Sequence, residues 1–236
     1  MGEVSLTLSV LVLLFVVHEL VVSSWLTGAD QRAAGGELDR IWSQRAPSAA
    51  EPASSGFVPG RPIARLQIPA LGADGNWTVL EGVDGADLAR GPGHYPGTAG
   101  PGEPGNIAIA GHRVGRGAPF DRLGELQPCD EMVLETASAR YSYRLLPGPA
   151  PPQGPQCDLV RRAITSAGPV ADVPPFQVVP PTQRDVIAPV PGRPEVSPPP
   201  SLRMLTLTTC HPRFSARFRL VTHAVLVAVT PRSRGA

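Results

Sequence analysis

One cysteine in the sequence stands where a nucleophile could be held in place. Cys210 ends the apolar, β-branched run LTLTTC, and a proline two residues later stops the predicted strand, so the thiol lies where a strand opens into a loop. The cationic side chains that follow it closely in the sequence are His211, Arg213, Arg217 and Arg219. Because nearby positive charge favours the thiolate, this context predicts a reactive thiol rather than a small buried hydrophobe.

The other two cysteines lack this context. Cys129 lies in QPCDEM, where acidic neighbours oppose ionisation, and Cys157 lies in a proline-rich stretch. Three cysteines, an odd number, are not expected to form a disulfide framework, and at least one thiol is expected to be free. No role is assigned to Cys129 or Cys157.

A cysteine nucleophile requires a base or an imidazolium partner, and the chain has five histidines. His18 lies in an apolar run and His223 lies inside a strand, and both positions are typical of structural residues. His211 adjoins the cysteine, but adjacent residues of an extended chain point in opposite directions. Of the remaining two, His94 lies in a Gly/Pro-rich turn, whereas His112 ends the strand NIAIAGH and can project from a strand end as the cysteine does.

The reaction also requires a donor for the developing oxyanion. Arg219 begins the last predicted strand, nine residues after the cysteine, and Arg217 lies two residues earlier on the same face. Either guanidinium could reach the site, and spacing alone does not choose between them.

Several other functions have no support in the sequence. It contains no CxxC, HExxH, compact acidic loop, Walker loop or GxSxG motif, so no metal or cofactor is predicted. A papain-type hydrolase places its cysteine before its histidine, and the order is reversed here. A net charge of +1 and 5% aromatic residues argue against a nucleic-acid partner.

The residues with chemistry belong to a series of short predicted strands. The content of 25 glycines and 29 prolines argues against a helical bundle. Alternation in YSYRLL and RMLTLTT predicts antiparallel sheet with one face in water, closed as a sandwich or barrel. The other predicted strands are IARLQIPALG, WTVLEGV, NIAIAGH, EMVLET, FQVV and FRLVTHAVLVAV.

One proline-rich region interrupts this series. Residues 147–200 hold 16 prolines and cannot form a continuous central strand. We expect a surface insertion over 147–175, with two helical turns in CDLVRRAITSA, and an edge strand with its connection over 176–191.

The N-terminal region predicts a membrane anchor and a stalk. Residues 4–26 form an apolar run of about 23 residues, long enough for a helix to span a bilayer core, and a cleaved signal peptide is the alternative. Residues 29–44 are predicted to be helical, with Leu38, Ile41 and Trp42 on one side. The Pro/Ser/Ala-rich segment that follows is typical of a linker.

Two long motifs resemble the sortase family. TLTTC, followed by an arginine on the next strand, resembles the sortase signature, and CHPRFSARFRL resembles its class E form, the housekeeping type of high-GC actinobacteria. The block GPGHYPGTAGPGEPGNIAIAGHR resembles the class E segment that ends in the catalytic histidine. The resemblance covers about residues 63–229.

The resemblance implies a role for each matching residue. Cys210 would be the nucleophile, His112 the acid and base, and Arg219 the transition-state donor, because the family's arginine matches its spacing rather than that of Arg217. The residues expected to bind substrate are Tyr95 of HYPGT, Thr209 and His211.

The resemblance also implies the fold and the activity. The fold would be a mostly antiparallel, closed eight-stranded β-barrel with short helices, preceded by one N-terminal transmembrane helix. The expected units are an anchor over 1–26, a stalk over 27–62, a catalytic barrel over 63–230 that includes the insertion, and a tail over 231–236.

The activity would be that of a single-pass membrane transpeptidase with its catalytic domain outside the cell. It would cleave surface proteins between Thr and Gly of a Leu-Pro-X-Thr-Gly or Leu-Ala-X-Thr-Gly motif, and join them to an amine of a cell-wall precursor or a pilin lysine. Two alternatives are an inactive barrel that binds sorting motifs and a cysteine hydrolase that releases proteins.

Overall fold

Four α-helices and nine β-strands form the regular structure of the described residues. The computed structural model describes residues 2–17, 23–44, 54–150, 152–167, 170 and 172–232. The helices are α1 (Gly2–Val17), α2 (Ser23–Gln44), α3 (Gly85–Arg90) and α4 (Pro155–Ala167). The strands are β1 (Pro62–Gln67), β2 (Asn76–Glu81), β3 (Gly93–His94), β4 (Gly105–Ala110), β5 (Glu131–Glu135), β6 (Ala139–Leu145), β7 (Phe176–Val179), β8 (Arg203–His211) and β9 (Phe218–Pro231).

Eight of the strands close into a barrel. Their order around the ring is β6, β5, β1, β2, β3, β4, β8 and β9, and β9 returns to pair with β6. Two neighbouring pairs, β2–β3 and β4–β8, are parallel, and the remaining pairs are antiparallel. The predicted closed, mostly antiparallel eight-stranded barrel is therefore confirmed. β7 lies outside the ring and pairs with one end of β9, in agreement with the edge strand predicted among the prolines.

The barrel core is filled by alternate residues of the strands. On β8, Leu205 and Leu207 are fully buried and belong to the central apolar cluster, as does Ile109 on the neighbouring β4. Burial of each such side chain contributes about 1.5–3 kcal/mol. Since side chains alternate along a strand, the even-numbered residues of β8 point away from this core.

The prediction that β8 has one face in water is wrong. Met204, on the outward face, lies in a second buried cluster that includes Val160 of α4, and Thr206 is fully buried as well. The reason is that α4 and its flanking segments cover this part of the barrel, which strand periodicity does not reveal.

The proline-rich insertion is anchored to the barrel. Its helix α4 has 13 residues, more than the two turns expected, and it buries Cys157 and Val160. Cys157 forms a disulfide with Cys129, with the Cα atoms 5.3 Å apart. No role was assigned to these two cysteines from the sequence, because their pairing depends on the packing of α4. Cys210 is the free cysteine, as the odd count requires.

Part of the predicted stalk is packed on the barrel. Helix α2 buries Ala34, Leu38 and Trp42, and the guanidinium groups of Arg65 and Arg232 lie 4.9 and 4.4 Å from the centroid of the Trp42 ring. The segment predicted as a linker is 45–60, and its residues 45–53 lie outside those described. Residues 54–60 are held on the barrel instead: the Ser54 amide donates to a Glu103 carboxylate oxygen at 3.1 Å, and the Gly60 amide donates to the Glu81 carbonyl at 2.8 Å.

Helix α1 is apolar and exposed. Its large side chains are 46–74% exposed, from Val4 to Phe15. It has 16 residues, and no helix within the described ranges combines the length and hydropathy needed to cross a membrane. The predicted span over 4–26 includes residues 18–22, which are outside the description.

Candidate active site

Three neighbouring strands bring the predicted catalytic residues to one edge of the barrel. The parallel pair β4–β8 sets Ala110 beside Thr208, and the amide of Gly111 continues the ladder by donating to the Thr208 carbonyl at 3.0 Å. His112 follows directly. On the other side of β8, the antiparallel register pairs Cys210 with Arg219. The ends of β4 and β8 and the beginning of β9 therefore carry the histidine, the cysteine and the arginine.

The turn after β4 is tightly packed around His112. A side chain at Gly111 would meet the Phe120 ring at 2.6 Å, and the Phe120 amide donates to the His112 carbonyl at 3.0 Å. The imidazole is half-buried. Its burial lowers the pKa of His112 below its ordinary value, and the nearby positive charge of Arg116 lowers this pKa further. The imidazole is therefore mostly neutral near pH 7.

The structure distinguishes the two candidate arginines. Arg219 lies opposite Cys210 on β9, and its Nη1 donates to the carbonyls of Ala216 and Phe218 at 3.1 and 3.0 Å. Arg217 precedes the strand, is exposed, and lies over the Phe218 ring at 5.4 Å. The cross-strand register, which residue spacing did not give, brings Arg219 to the cysteine.

A groove of about 340 Å³ adjoins this edge of the barrel. Arg219, Thr208 and Tyr95 line one part of it, and residues 179–187 after β7 line another. Its wall combines apolar and polar side chains, which suits an extended peptide that offers both backbone polar groups and small or apolar side chains. A larger cavity of about 480 Å³ lies between α2 and residues 100–104 and contains none of the three predicted catalytic residues.

Tyr95 is held in the groove wall by its neighbours. Its hydroxyl lies 3.0 Å from the Thr208 hydroxyl, and its amide donates to the Ala108 carbonyl at 2.9 Å. The preceding His94 is fully buried, with Nδ1 2.6 Å from a Glu81 carboxylate oxygen. His94 is thus bound to a buried carboxylate beneath the turn, and Tyr95 is the residue that reaches the groove.

The two other predicted substrate-binding residues lie differently. Thr209 is 2% exposed, and its hydroxyl donates to the Gly111 carbonyl at 2.8 Å, so it joins β8 to β4 and does not line the groove. The cause is the alternation along the strand, which turns Thr209 away from the face of Thr208. His211 accepts a hydrogen bond at Nδ1 from Arg113 at 2.7 Å.

Some residues around the site were not found from the sequence. Arg113 is also 3.4 Å from the Cys210 carbonyl, so it links the loop after β4 to the end of β8. Its only sequence signal is its place directly after the histidine. Gln183 and Arg184 line the groove, but they follow a proline-rich stretch with no periodicity that could have indicated their position.

His223 lies on β9, opposite Thr206 of β8. It is fully buried, with Nδ1 2.9 Å from the Thr206 hydroxyl and Nε2 2.8 Å from the Gln177 amide nitrogen. Burial lowers the pKa of His223 to about 3, so it is neutral at physiological pH. The structural role predicted for this histidine agrees with its position.

The chain is similar in sequence to sortases. Residues 66–227 match the sortase domain family. Sortase SrtE1 of Streptomyces coelicolor is 31% identical over 243 residues, which cover 99% of this chain and 58% of that protein. Sortase D of Bacillus subtilis is 33% identical over 87 residues, which cover 37% of this chain and 41% of that protein. The chain thus spans little more than half the length of SrtE1.

Solved structures give the same result. The SrtF sortase from Corynebacterium diphtheriae has a TM-score of 0.67 and 34% identity, covering 80% of this chain and 94% of that chain. The SrtA sortase from Actinomyces oris has a TM-score of 0.60 and 31% identity, covering 80% and 92%. Sortase E1 from S. coelicolor, with a tripeptide in its active site, has a TM-score of 0.57 and 28% identity, covering 77% and 97%.

Proposed function

The chain belongs to the sortase family, and we propose that it is a membrane-anchored cysteine transpeptidase that joins sorting-motif proteins to an amine. Its similarity to proteins named sortase E confirms the class E assignment made from the sequence. The observation that carries the proposal is the register of β8 and β9, which sets Arg219 opposite Cys210, with His112 at the end of the adjacent β4.

In the first step the thiolate of Cys210 attacks the carbonyl carbon between Thr and Gly of the motif Leu-Ala-X-Thr-Gly or Leu-Pro-X-Thr-Gly. A C–S bond forms and the C–N bond breaks. Arg219 donates to the oxyanion of the tetrahedral intermediate. His112, neutral before the reaction, takes the thiol proton and gives it to the departing glycine amine.

In the second step an amine resolves the thioacyl enzyme. Its nitrogen attacks the thioester carbonyl, the C–S bond breaks, and an amide forms. His112 accepts the proton that the amine loses and passes it to the leaving Cys210 thiolate, which restores the thiol and the neutral imidazole. The amine comes from a cell-wall precursor or a pilin lysine, and water acts as a slow substitute.

Two features support a location outside the cytoplasm. Disulfides persist in oxidising compartments, and Cys129–Cys157 is such a bond. The apolar side chains of α1 are exposed around the helix, which suits contact with lipid, and the anchor expected over 1–26 would then end before Ser23, which α2 buries against the barrel. The catalytic barrel over 63–230 would then act on surface proteins at the outer face of the cell membrane.

The proposal is tested with the full chain in detergent and a Leu-Ala-X-Thr-Gly peptide, with and without an amine acceptor. We expect cleavage between Thr and Gly and transfer of the N-terminal fragment to the amine, both lost in Cys210→Ala. Cleavage that ignores the amine would indicate a hydrolase. Peptide binding without cleavage by the folded wild-type chain would indicate an inactive barrel.

A further inference from the structure

Helix α2 is bonded to the loop that follows β4, and we propose that its N-terminal half positions His112 for the reaction. This inference rests on the proposed function and adds residues to it, Ser23 and Thr27, that lie outside the matched sortase domain of 66–227. They do not touch the reacting atoms and act by holding the loop that carries the histidine.

The contact is made by two polar residues of the first turns of α2. Ser23 and Thr27 are 6% and 1% exposed, which is unusual for hydroxyl side chains on a helix at the surface. The Ser23 hydroxyl accepts a hydrogen bond from the backbone amide of Arg116 at 3.1 Å. A Cβ at Gly117 would lie 3.2 Å from the Thr27 methyl and 2.8 Å from the Trp77 ring, so this glycine is packed between them.

The loop needs such support because its backbone is held in sparsely populated conformations. Arg116 and Ala118 have positive φ angles of 50° and 43°, and the glycines on either side of Arg116 also have positive φ. For residues with a side chain, such conformations cost about 1–3 kcal/mol each and persist where the surroundings hold them. Helix α2 supplies part of these surroundings at Arg116, which lies four residues after His112 in the chain.

The helix itself is fixed to the barrel and can therefore act as a rigid support. The Gln31 amide accepts from the Thr78 amide at 2.7 Å and donates to the Thr78 and Arg90 carbonyls at 3.1 and 2.8 Å. It thus bonds to both backbone groups of a β2 residue, much as a neighbouring strand would. Thr27 adds a bond to the Ala89 carbonyl at 2.8 Å.

Holding the loop also fixes a charge beside the histidine. Arg116 is the residue whose amide is bound by Ser23, and its guanidinium lowers the pKa of His112. The other ionisable groups of this region are Arg113 and Asp121 on the same loop, Cys210 and His211 on β8, Arg213, which pairs with Asp121, and Arg219 on β9. Release of the loop from α2 would alter both the position of the imidazole and its charge environment.

The test uses Ser23→Ala in the full chain. We expect kcat for peptide cleavage to fall about 10-fold, because misplacement of a catalytic group by a fraction of an ångström has effects of this size, with KM changed less than about 2-fold. The limb of the pH–rate profile that reports His112 should move to higher pH as Arg116 moves away. Ser23→Thr, which keeps the hydroxyl, should restore both values. Ser43→Ala, on the exposed C-terminal end of α2, is the matched control and should change neither.

The outcomes separate this inference from the proposed function. If the wild-type chain forms no thioacyl enzyme, the proposed function fails. If wild type is active and folded Ser23→Ala keeps both its kcat and its pH profile, the positioning role is wrong. Should Ser23→Ala not fold, Thr27→Ser keeps the bond to the Ala89 carbonyl and removes the methyl that packs against Gly117, and an unchanged kcat and pH profile in that variant would overturn the inference.

Discussion

At the scale of single residues, the side of the strand on which each side chain of β8 and β9 lies determines whether it can reach the candidate active site. Thr208 and Cys210 point out of the barrel and Thr209 points to the other face, so a shift of register by one residue would bury the thiol. The same alternation sets Arg219 beside the cysteine and leaves Arg217 before the strand. Residue types and spacing alone do not carry this information, since either arginine could reach the cysteine from its position in the sequence.

The two arginines provide a matched pair of variants. Arg219→Ala should lower kcat for peptide cleavage by about 10²–10³-fold, because one oxyanion donor is lost. Arg217→Ala should stay within about 2-fold of wild type, since its guanidinium lies over the Phe218 ring. Steady-state kinetics and thermal melting of both variants test this. Equal losses in the two folded variants would show that the register does not select the donor.

At the scale of elements, local pattern predicted more than packing did. The strands from Ile63 to Val229, the edge strand at β7 and the helix within 29–44 all follow from alternation, proline positions and helical spacing. The burial of both faces of β8 and the Cys129–Cys157 bond depend on α4 folding over the barrel, and the docking of α2 depends on Gln31 and Trp42. Such contacts join distant segments and leave no periodic signal.

A buried hydrogen-bond chain ties β7 and the segment that follows it to the barrel, and it predicts a pH-dependent stability. It runs from Gln177 on β7 through His223 and Thr206 to Asn106, whose amide donates to the Ala188 carbonyl at 3.1 Å. The pKa of His223 is about 3 in the folded chain, below the value of about 6.5 in an unfolded one. Between about pH 3 and pH 6.5 the unfolded state therefore binds more protons than the folded state. The contribution of His223 to the free energy of unfolding is complete above about pH 6.5 and is lost as the pH falls towards 3.

Because of His223, we expect the free energy of unfolding to fall by up to about 1.4 kcal/mol for each unit by which the pH decreases between about 6.5 and 3. Urea denaturation at several pH values between 7 and 4 measures this, with His223→Asn expected to lose that part of the slope. His211→Asn, at a half-buried position, is the control and should keep it. Identical slopes in wild type and His223→Asn would contradict the buried neutral state.

The disulfide joins the insertion to the barrel and should contribute to stability. Its residues are 28 apart, and closure of a loop of this length stabilises the fold by about 3–4 kcal/mol in the chain-entropy model. Cys129→Ala with Cys157→Ala should lower the free energy of unfolding by about that amount. Thiol titration of native wild type should find one reactive thiol, lost in Cys210→Ala. Three titratable thiols in the native chain would disprove the bond.

At the scale of the whole molecule, only a few residues of the chain separate the apolar, exposed helix α1 from the part of the chain that packs on the catalytic barrel. Residues 18–22 alone separate α1 from α2, and α2 is already part of the barrel's support. The proposed anchor and the catalytic unit are thus close in the sequence. Of the stalk expected over 27–62, residues 27–44 lie in α2, and residues 54–62 are held on the barrel through bonds such as that from the Gly60 amide to the Glu81 carbonyl.

The proposed anchor gives a prediction on membrane association. The full chain should stay with vesicles after an alkaline wash, and Leu11→Arg with Leu14→Arg should release a large fraction, because each arginine costs about 2.5–3.5 kcal/mol near the centre of a span. Leu159→Arg, at an exposed apolar position of α4, is the matched control and should stay bound. Wild-type chain in the wash supernatant would contradict the anchor.

The central claim is that Cys210 carries the peptide between donor and acceptor, and one measurement tests it directly. Intact-mass spectrometry of the full chain, quenched in acid during reaction with a Leu-Ala-X-Thr-Gly peptide, should show an adduct equal to the fragment ending in Thr. Peptide mapping should place the adduct on Cys210, and addition of an amine before the quench should remove it as the amide product appears. A folded Cys210→Ala chain that still cleaves or transfers the peptide, or wild type that reacts with no adduct on Cys210, would contradict the account.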